Sequence, residues 1–260
     1  MPKKTFCALL VMAMCVSLSA CEKSGGGLFS SGRPEKIDSA EVQFGTPAEG
    51  DPVAVFSTSL GEISVVLYPQ YAPMAVENFV ALAQQGYYDG IVFHRVEQDF
   101  IIQSGDATGT GGSGASIWNN NAYPDELSDQ LHHYSGALAT AHATDGSVGN
   151  LSQFYFVATP AGSIDKAAAK TLTEAGLRQE VVDAYRAAGG APYLDGLDTV
   201  FGQVYAGMDV VDAIAAVETD GAGKPLEDVT LVSVTITTYA AAQAQPAPAA
   251  SAPVSASNAA

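Results

Sequence analysis

A chain of 260 residues that is 47% hydrophobic and 15% charged carries enough apolar side chains for a packed core, which excludes a wholly disordered protein. A formal net charge of -17 would repel a phosphate backbone, so nucleic-acid binding is excluded too. The acidic balance reads as a solubility feature.

In chain order, Lys3 and Lys4 form a basic start, and residues 6–18 are apolar but too short for a dedicated bilayer-spanning helix. The run ends in Leu18-Ser19-Ala20-Cys21, which resembles the lipobox of bacterial lipoproteins. That resemblance implies a signal peptide over 1–20 and a diacylglycerol on Cys21. Cys7 and Cys15 would leave with the signal, so the folded part keeps no thiol for a disulfide or for thiolate catalysis. Residues 21–51 are rich in Gly, Ser, Pro and charge and read as a flexible tether. Residues 240–260 are nearly all Ala, Pro, Gln and Ser, a low-complexity tail with nothing to bury.

The domain falls between, over 52–239. Residues 53–58 and 62–68 form two strands about a Ser59-Leu60-Gly61 turn, with Ile63, Val65 and Leu67 on one face. Pro73 opens a helix in which Val76, Phe79, Val80 and Ala83 share a stripe, and Gly86 stops it. Strands follow at 91–96, 100–104, 136–141, 154–158 and 199–204. A second helix covers 208–217, and a last strand at 229–237 alternates Val232, Val234 and Ile236. Residues 163–190 break the rhythm. They read as an inserted helical loop, packed through Leu177, Val181, Ala184 and Tyr185 and stopped at Gly189-Gly190. The predicted class is mostly β: a closed eight-stranded antiparallel β-barrel capped by two helices, with that insertion.

The chemistry concentrates in Phe93-His94-Arg95, Phe100-Ile101-Ile102-Gln103-Ser104-Gly105-Asp106, Gly109-Thr110-Gly111-Gly112, Ser152-Gln153-Phe154-Tyr155, Leu194-Asp195-Gly196 and Val200-Phe201-Gly202. Strand parity puts Ile101 with Gln103 on one face, and Gln153 with Tyr155. Six blocks in this order resemble the cyclophilin family of peptidyl-prolyl cis/trans isomerases over most of 52–239, the insertion excepted. The resemblance implies rotation about Xaa-Pro bonds, with Arg95, Phe100 and Gln103 catalytic. It implies a proline slot lined by Phe100, Ile101, Tyr155 and Leu194. Gln103 would orient Arg95, Ala141 and His142 would pair with the substrate main chain, and Gln153, Tyr193 and Asp198 would border the groove.

An Xaa-Pro amide resists rotation by ~18–20 kcal/mol. A fixed cation at the prolyl nitrogen favours the twisted form over either planar one. No metal, nucleotide, other cofactor or covalent intermediate is required. The chain departs from the family at Tyr155 (a phenylalanine in the usual pattern), Tyr193 (a tryptophan in eukaryotic members), Asp198 (a histidine) and His142 (an asparagine).

Other motifs read blandly. His94 is a structural hydrogen-bonder. His132-His133 is a poor metal pair, since neighbours in a strand face opposite ways. Residues 109–114 form a flexible turn, not a phosphate cradle, because no Lys-Ser/Thr follows. Ser152 lacks an adjacent base. The expected partners are proline-containing polypeptides, bound by a monomer that meets the membrane only through its lipid. The expected location is extracytoplasmic, in the cell envelope. A surface module that binds proline peptides with little turnover is the alternative. The insertion could also dock a partner.

Overall fold

The computed structural model describes residues 37–142 and 149–240. The expected signal peptide, Cys21, the first part of the tether and residues 241–260 lie outside the described residues.

The described residues form nine strands and four α-helices. The strands are β1 (Pro52–Thr58), β2 (Gly61–Leu67), β3 (Ile91–Val92), β4 (Arg95–Glu97), β5 (Ile101–Ser104), β6 (Ala137–His142), β7 (Asn150–Val157), β8 (Val200–Ala206) and β9 (Thr230–Thr238). The helices are α1 (Pro73–Gln84), α2 (Lys166–Glu174), α3 (Gln179–Ala188) and α4 (Met208–Ala215). All ladders are antiparallel, and the strand order is β3-β9-β1-β2-β8-β6-β7-β5-β4.

The expected closed eight-stranded barrel is therefore corrected to a curled sheet of nine strands, open between β3 and β4. The reason lies in one segment. The single strand predicted at 91–96 changes partner halfway. Phe93 N donates to Val229 O, beside β9, whereas His94 N donates to Gln103 O on β5. The break separates two short strands at opposite ends of the sheet order.

Strand parity builds two apolar layers. Phe56, Ile63, Leu67, Ile102, Phe154, Phe156 and Phe201 fill the concave side, where Phe79 of α1 and Ile214 of α4 also pack. The other face carries Val66, Ile101, Ala139, Tyr155, Val157 and Val200, with Phe100 and Leu194 against them. Phe154 and Phe156 thus point inward and Tyr155 outward, as a two-residue period requires.

Three expectations are corrected. The stripe Val232, Val234, Ile236 loses its first member: Val232 is exposed and Leu231 is buried instead. A register shift between Ser57 and Thr58, where β1 meets β9, sets Ser57 opposite Ser233 but Thr58 opposite Leu231, which reverses the alternation. The insertion forms two helices, because Gly176 takes φ +92° just after α2 ends. Finally, the stretch read as a tether is packed before residue 52. Glu41 and Gln43 are buried, and Arg178 donates to both carboxylate oxygens of Glu41, at 2.9 and 3.2 Å. Gln43 Nε2 donates to His132 O at 2.8 Å, and His132 N donates back to Gln43 Oε1 at 2.7 Å.

Candidate active site

Cross-strand register places the functional side chains in one row on the outer face. Arg95 of β4 lies opposite Gln103 of β5, Gln103 opposite Tyr155 of β7, and Tyr155 opposite Ala139 of β6. Directly opposed residues have Cβ atoms about 4.5–5.5 Å apart, close enough for their side chains to meet. A cleft of about 690 Å³ opens along this row. Its walls include Arg95, Phe100, Ile101, Gln103, Ala141, His142, Tyr155, Leu194 and Asp198.

Arg95 is held on three sides. Nη1 donates to Gln103 Oε1 at 3.1 Å, Nε donates to Glu97 Oε1 at 3.0 Å, and Nη2 donates to the same Glu97 oxygen. Its Cζ stands 5.9 Å from the Phe100 ring centroid. Gln103 is fixed in turn: its Nε2 donates to Gln153 Oε1 at 2.9 Å. Gln153 Nε2 donates to Gly111 O and Ser113 O at 3.0 and 2.8 Å. Gln153 is thus buried under the cleft rather than lining it, and acts through Gln103. Gly105 makes this packing possible. At φ +96°, a Cβ there would sit 2.7 Å from Gln153 Cα.

The glycine-rich segment is anchored, not loose. Thr108 N and Thr110 N donate to the Asp106 carboxylate at 2.8 and 3.2 Å, and the Ser113 hydroxyl donates at 2.7 Å. Burial alone would raise the Asp106 pKa. The hydrogen bonds from Ser113, Thr108 and Gly111 together hold it well below the usual carboxylate range. A depressed folded-state pKa means stability that is complete above the unfolded value of about 4 and is lost as pH falls below it. Asp106→Asn should therefore lower stability by ~2 kcal/mol at pH 7, because an amide N–H₂ meets donors. Urea melts across pH should show that gap shrinking below about pH 4.

The slot's far wall is polar at one point. Tyr155 Oη donates to Asp198 Oδ2 at 2.7 Å. Burial first, then the Asp198 charge, pushes the Tyr155 pKa up, so the hydroxyl stays a donor. Asp198 therefore pairs with the residue that replaces the family's phenylalanine. Tyr193 stands outside the cleft, 65% exposed, with its ring centroid 6.0 Å from that of Phe100. His142 sits at the rim, its Nε2 3.1 Å from Asp125 Oδ1.

His94, expected to be a structural hydrogen-bonder, instead lines the cleft with neither ring nitrogen hydrogen-bonded among the described residues, and burial lowers its pKa; a Cβ on Gly111 would lie 3.2 Å from its ring. Other cleft residues had no expected role. Asp220, Ala222 and Lys224 also reach the cleft, through a turn whose Gly223 O accepts from Val96 N at 2.7 Å. His132 and His133 do not face opposite ways. Both Nδ1 atoms donate to Asp195, at 2.8 and 2.9 Å, because the segment is outside any strand. Among the described residues, no three His, Cys, Asp or Glu side chains are placed to hold a metal ion.

Known proteins resemble this chain in sequence and fold. The model of the cyclophilin type peptidyl-prolyl cis-trans isomerase/CLD family matches residues 53–236. This chain is a cyclophilin. A Staphylococcus aureus protein bearing a peptidyl-prolyl cis-trans isomerase name is 41% identical over 188 residues, which are 72% of this chain and 93% of that protein. A Streptococcus pyogenes protein named as a bifunctional phosphatase/peptidyl-prolyl cis-trans isomerase is 42% identical over 187 residues, 71% of this chain; the match spans only 38% of that longer protein. A crystal structure of a Cryptosporidium parvum cyclophilin, solved in the presence of the dipeptide Ala-Pro, superposes with a TM-score of 0.56. It is 26% identical, and the match covers 71% of this chain and 98% of that one. The activity of this cyclophilin is peptidyl-prolyl cis/trans isomerisation.

Proposed function

We propose that this cyclophilin isomerises Xaa-Pro bonds in exported polypeptides as they fold, working as a monomer held to the cell envelope through a lipidated Cys21. The observation that carries the catalytic part is the immobilised Arg95 guanidinium beside the apolar wall of Phe100, Ile101, Tyr155 and Leu194. The proline ring packs on that wall, and the main chain of Ala141 and His142 pairs with the peptide. Arg95 then presents a fixed cation to the prolyl nitrogen. As the amide twists, the nitrogen becomes pyramidal and its lone pair localises, so the cation binds the twisted form more tightly than the planar one. No proton or covalent bond changes hands. The N-terminal sequence and its lipobox-like end support the location.

Refolding tests the role. A protein whose folding waits on proline isomerisation, a phase of tens of seconds at 25 °C, should refold faster with catalytic amounts of the chain. Binding of the folding protein without acceleration would instead indicate a proline-peptide-binding module, the reading that Tyr155, Tyr193 and Asp198 favour. Cys21→Ser should move the protein from the membrane fraction to the soluble fraction and abolish labelling by a fatty acid. Continued labelling would sink the lipid anchor.

A further inference from the structure

Glu97 follows Arg95 by two residues on β4, so the pleat sets both side chains on the cleft face. An arginine fork has five N–H donors. Glu97 Oε1 takes the Nε donor and one on Nη2, along one edge, while Gln103 Oε1 takes one on Nη1, along the other. The Phe100 ring covers a face. Gly223 closes behind, where a Cβ would lie 3.7 Å from Arg95 Cγ and 3.8 Å from Glu97 Cγ. The guanidinium plane is fixed, and each Nη keeps one N–H for a bound peptide.

We infer that Glu97 is a positioning residue for the isomerisation, locking the Arg95 fork in the orientation that meets the twisted prolyl nitrogen. The inference rests on Arg95 being the catalytic cation. A carboxylate beside that cation has two opposed effects. It weakens the positive field at the reacting nitrogen, and it holds a long, flexible side chain in one rotamer. The two side chains are 38% and 44% exposed, so water screens the first effect. The second depends on short hydrogen bonds and on rotamer freedom already surrendered before substrate arrives, which screening does not touch. Positioning wins.

The test compares wild type, Glu97→Ala and Glu97→Gln on a Xaa-Pro peptide. Glu97→Ala should lower kcat about tenfold, which corresponds to about 1.4 kcal/mol, with KM changed less than about twofold. Glu97→Gln keeps an oxygen that accepts from the same donors, and should retain at least about half of kcat. A Glu97→Ala enzyme as fast as wild type, or faster, overturns the inference, as does a Glu97→Gln enzyme as slow as Glu97→Ala. The Arg95 Nε–H resonance gives a readout besides activity. It should exchange slowly with water in wild type and Glu97→Gln, and rapidly in Glu97→Ala. Persistence of slow exchange in Glu97→Ala overturns the tether while leaving the isomerase reading intact. Equal rates for wild type and Arg95→Ala would remove Arg95 as the catalytic cation, and this inference with it, whatever the resonance shows.

Discussion

Arg95→Ala should lower kcat/KM on a Xaa-Pro peptide by at least about 100-fold, with the melting temperature nearly unchanged. The rate loss follows from what Arg95 is asked to supply. Raising the rate 10⁵-fold over the uncatalysed rotation needs about 7 kcal/mol of transition-state preference. Removing one preorganised donor from such a site removes roughly 3–4 kcal/mol in measured cases. The melting temperature is spared because the ion pair to Glu97 is solvent-exposed, and such pairs contribute about 0–1 kcal/mol. Arg95→Lys separates charge from geometry. It keeps a cation but loses the fork that meets Gln103 and Glu97 on two edges, so it should recover only a small part of the lost rate. Protease-coupled or NMR exchange assays read both variants. An Arg95→Ala enzyme within twofold of wild type would show that Arg95 is not the catalytic cation.

Much of this site is readable from strand parity, and the rest is not, for physical reasons. Ile101 with Gln103, and Gln153 with Tyr155, follow from a two-residue period once their strands are placed. Glu97 obeys the same rule with Arg95, so the ion pair was present in the pattern Arg95-Val96-Glu97. Parity says which face a residue takes but not whether a neighbour covers it. Gln153 shares the face of Tyr155 yet is sealed beneath Gly111 and Ser113, a contact made across about forty residues of chain. Val232 departs from its expected face because a bulge shifts the register, and adjacent apolar residues such as Leu231 and Val232 do not show which of the two the bulge turns inward. The packed stretch before Pro52 was missed for a different reason. It is held by polar pairs over long separations, Glu41 to Arg178 and Gln43 to His132, and by single apolar contacts such as Phe44 on Tyr134, and a stretch this short shows no apolar period. The stretch before Pro52 and the insertion therefore hold each other through contacts that neither shows alone.

The same kind of long-range pairing sets the second large effect. Asp195 follows Leu194, whose side chain walls the slot. Its Oδ1 accepts from His133 N and Nδ1, both at 2.9 Å, and its Oδ2 accepts from His132 Nδ1 and Tyr185 Oη, both at 2.8 Å. Burial would raise its pKa, but the hydrogen bonds from His132 and His133 hold it well below the ordinary carboxylate range. One carboxylate thus ties the 132–133 segment and helix α3 of the insertion to the turn that carries Leu194 and Asp198. Asp195→Ala leaves two imidazoles, a tyrosine hydroxyl and a backbone N–H facing a hole. Removing the carboxylate on which four hydrogen bonds converge, in a largely buried network, destabilises by about 3–5 kcal/mol. For a domain of this size the melting temperature should fall about 10 °C. Asp195→Asn keeps one acceptor but turns an N–H₂ toward a donor, so it should fall between the two. The turn also carries slot residues. Catalysis below the melting temperature should therefore drop several-fold through KM, while Arg95 and its partners, on other strands, stay in place. Calorimetry and peptide kinetics on the same samples check both halves. An Asp195→Ala protein that melts within 2 °C of wild type would show that the histidines and Tyr185 repair the gap themselves.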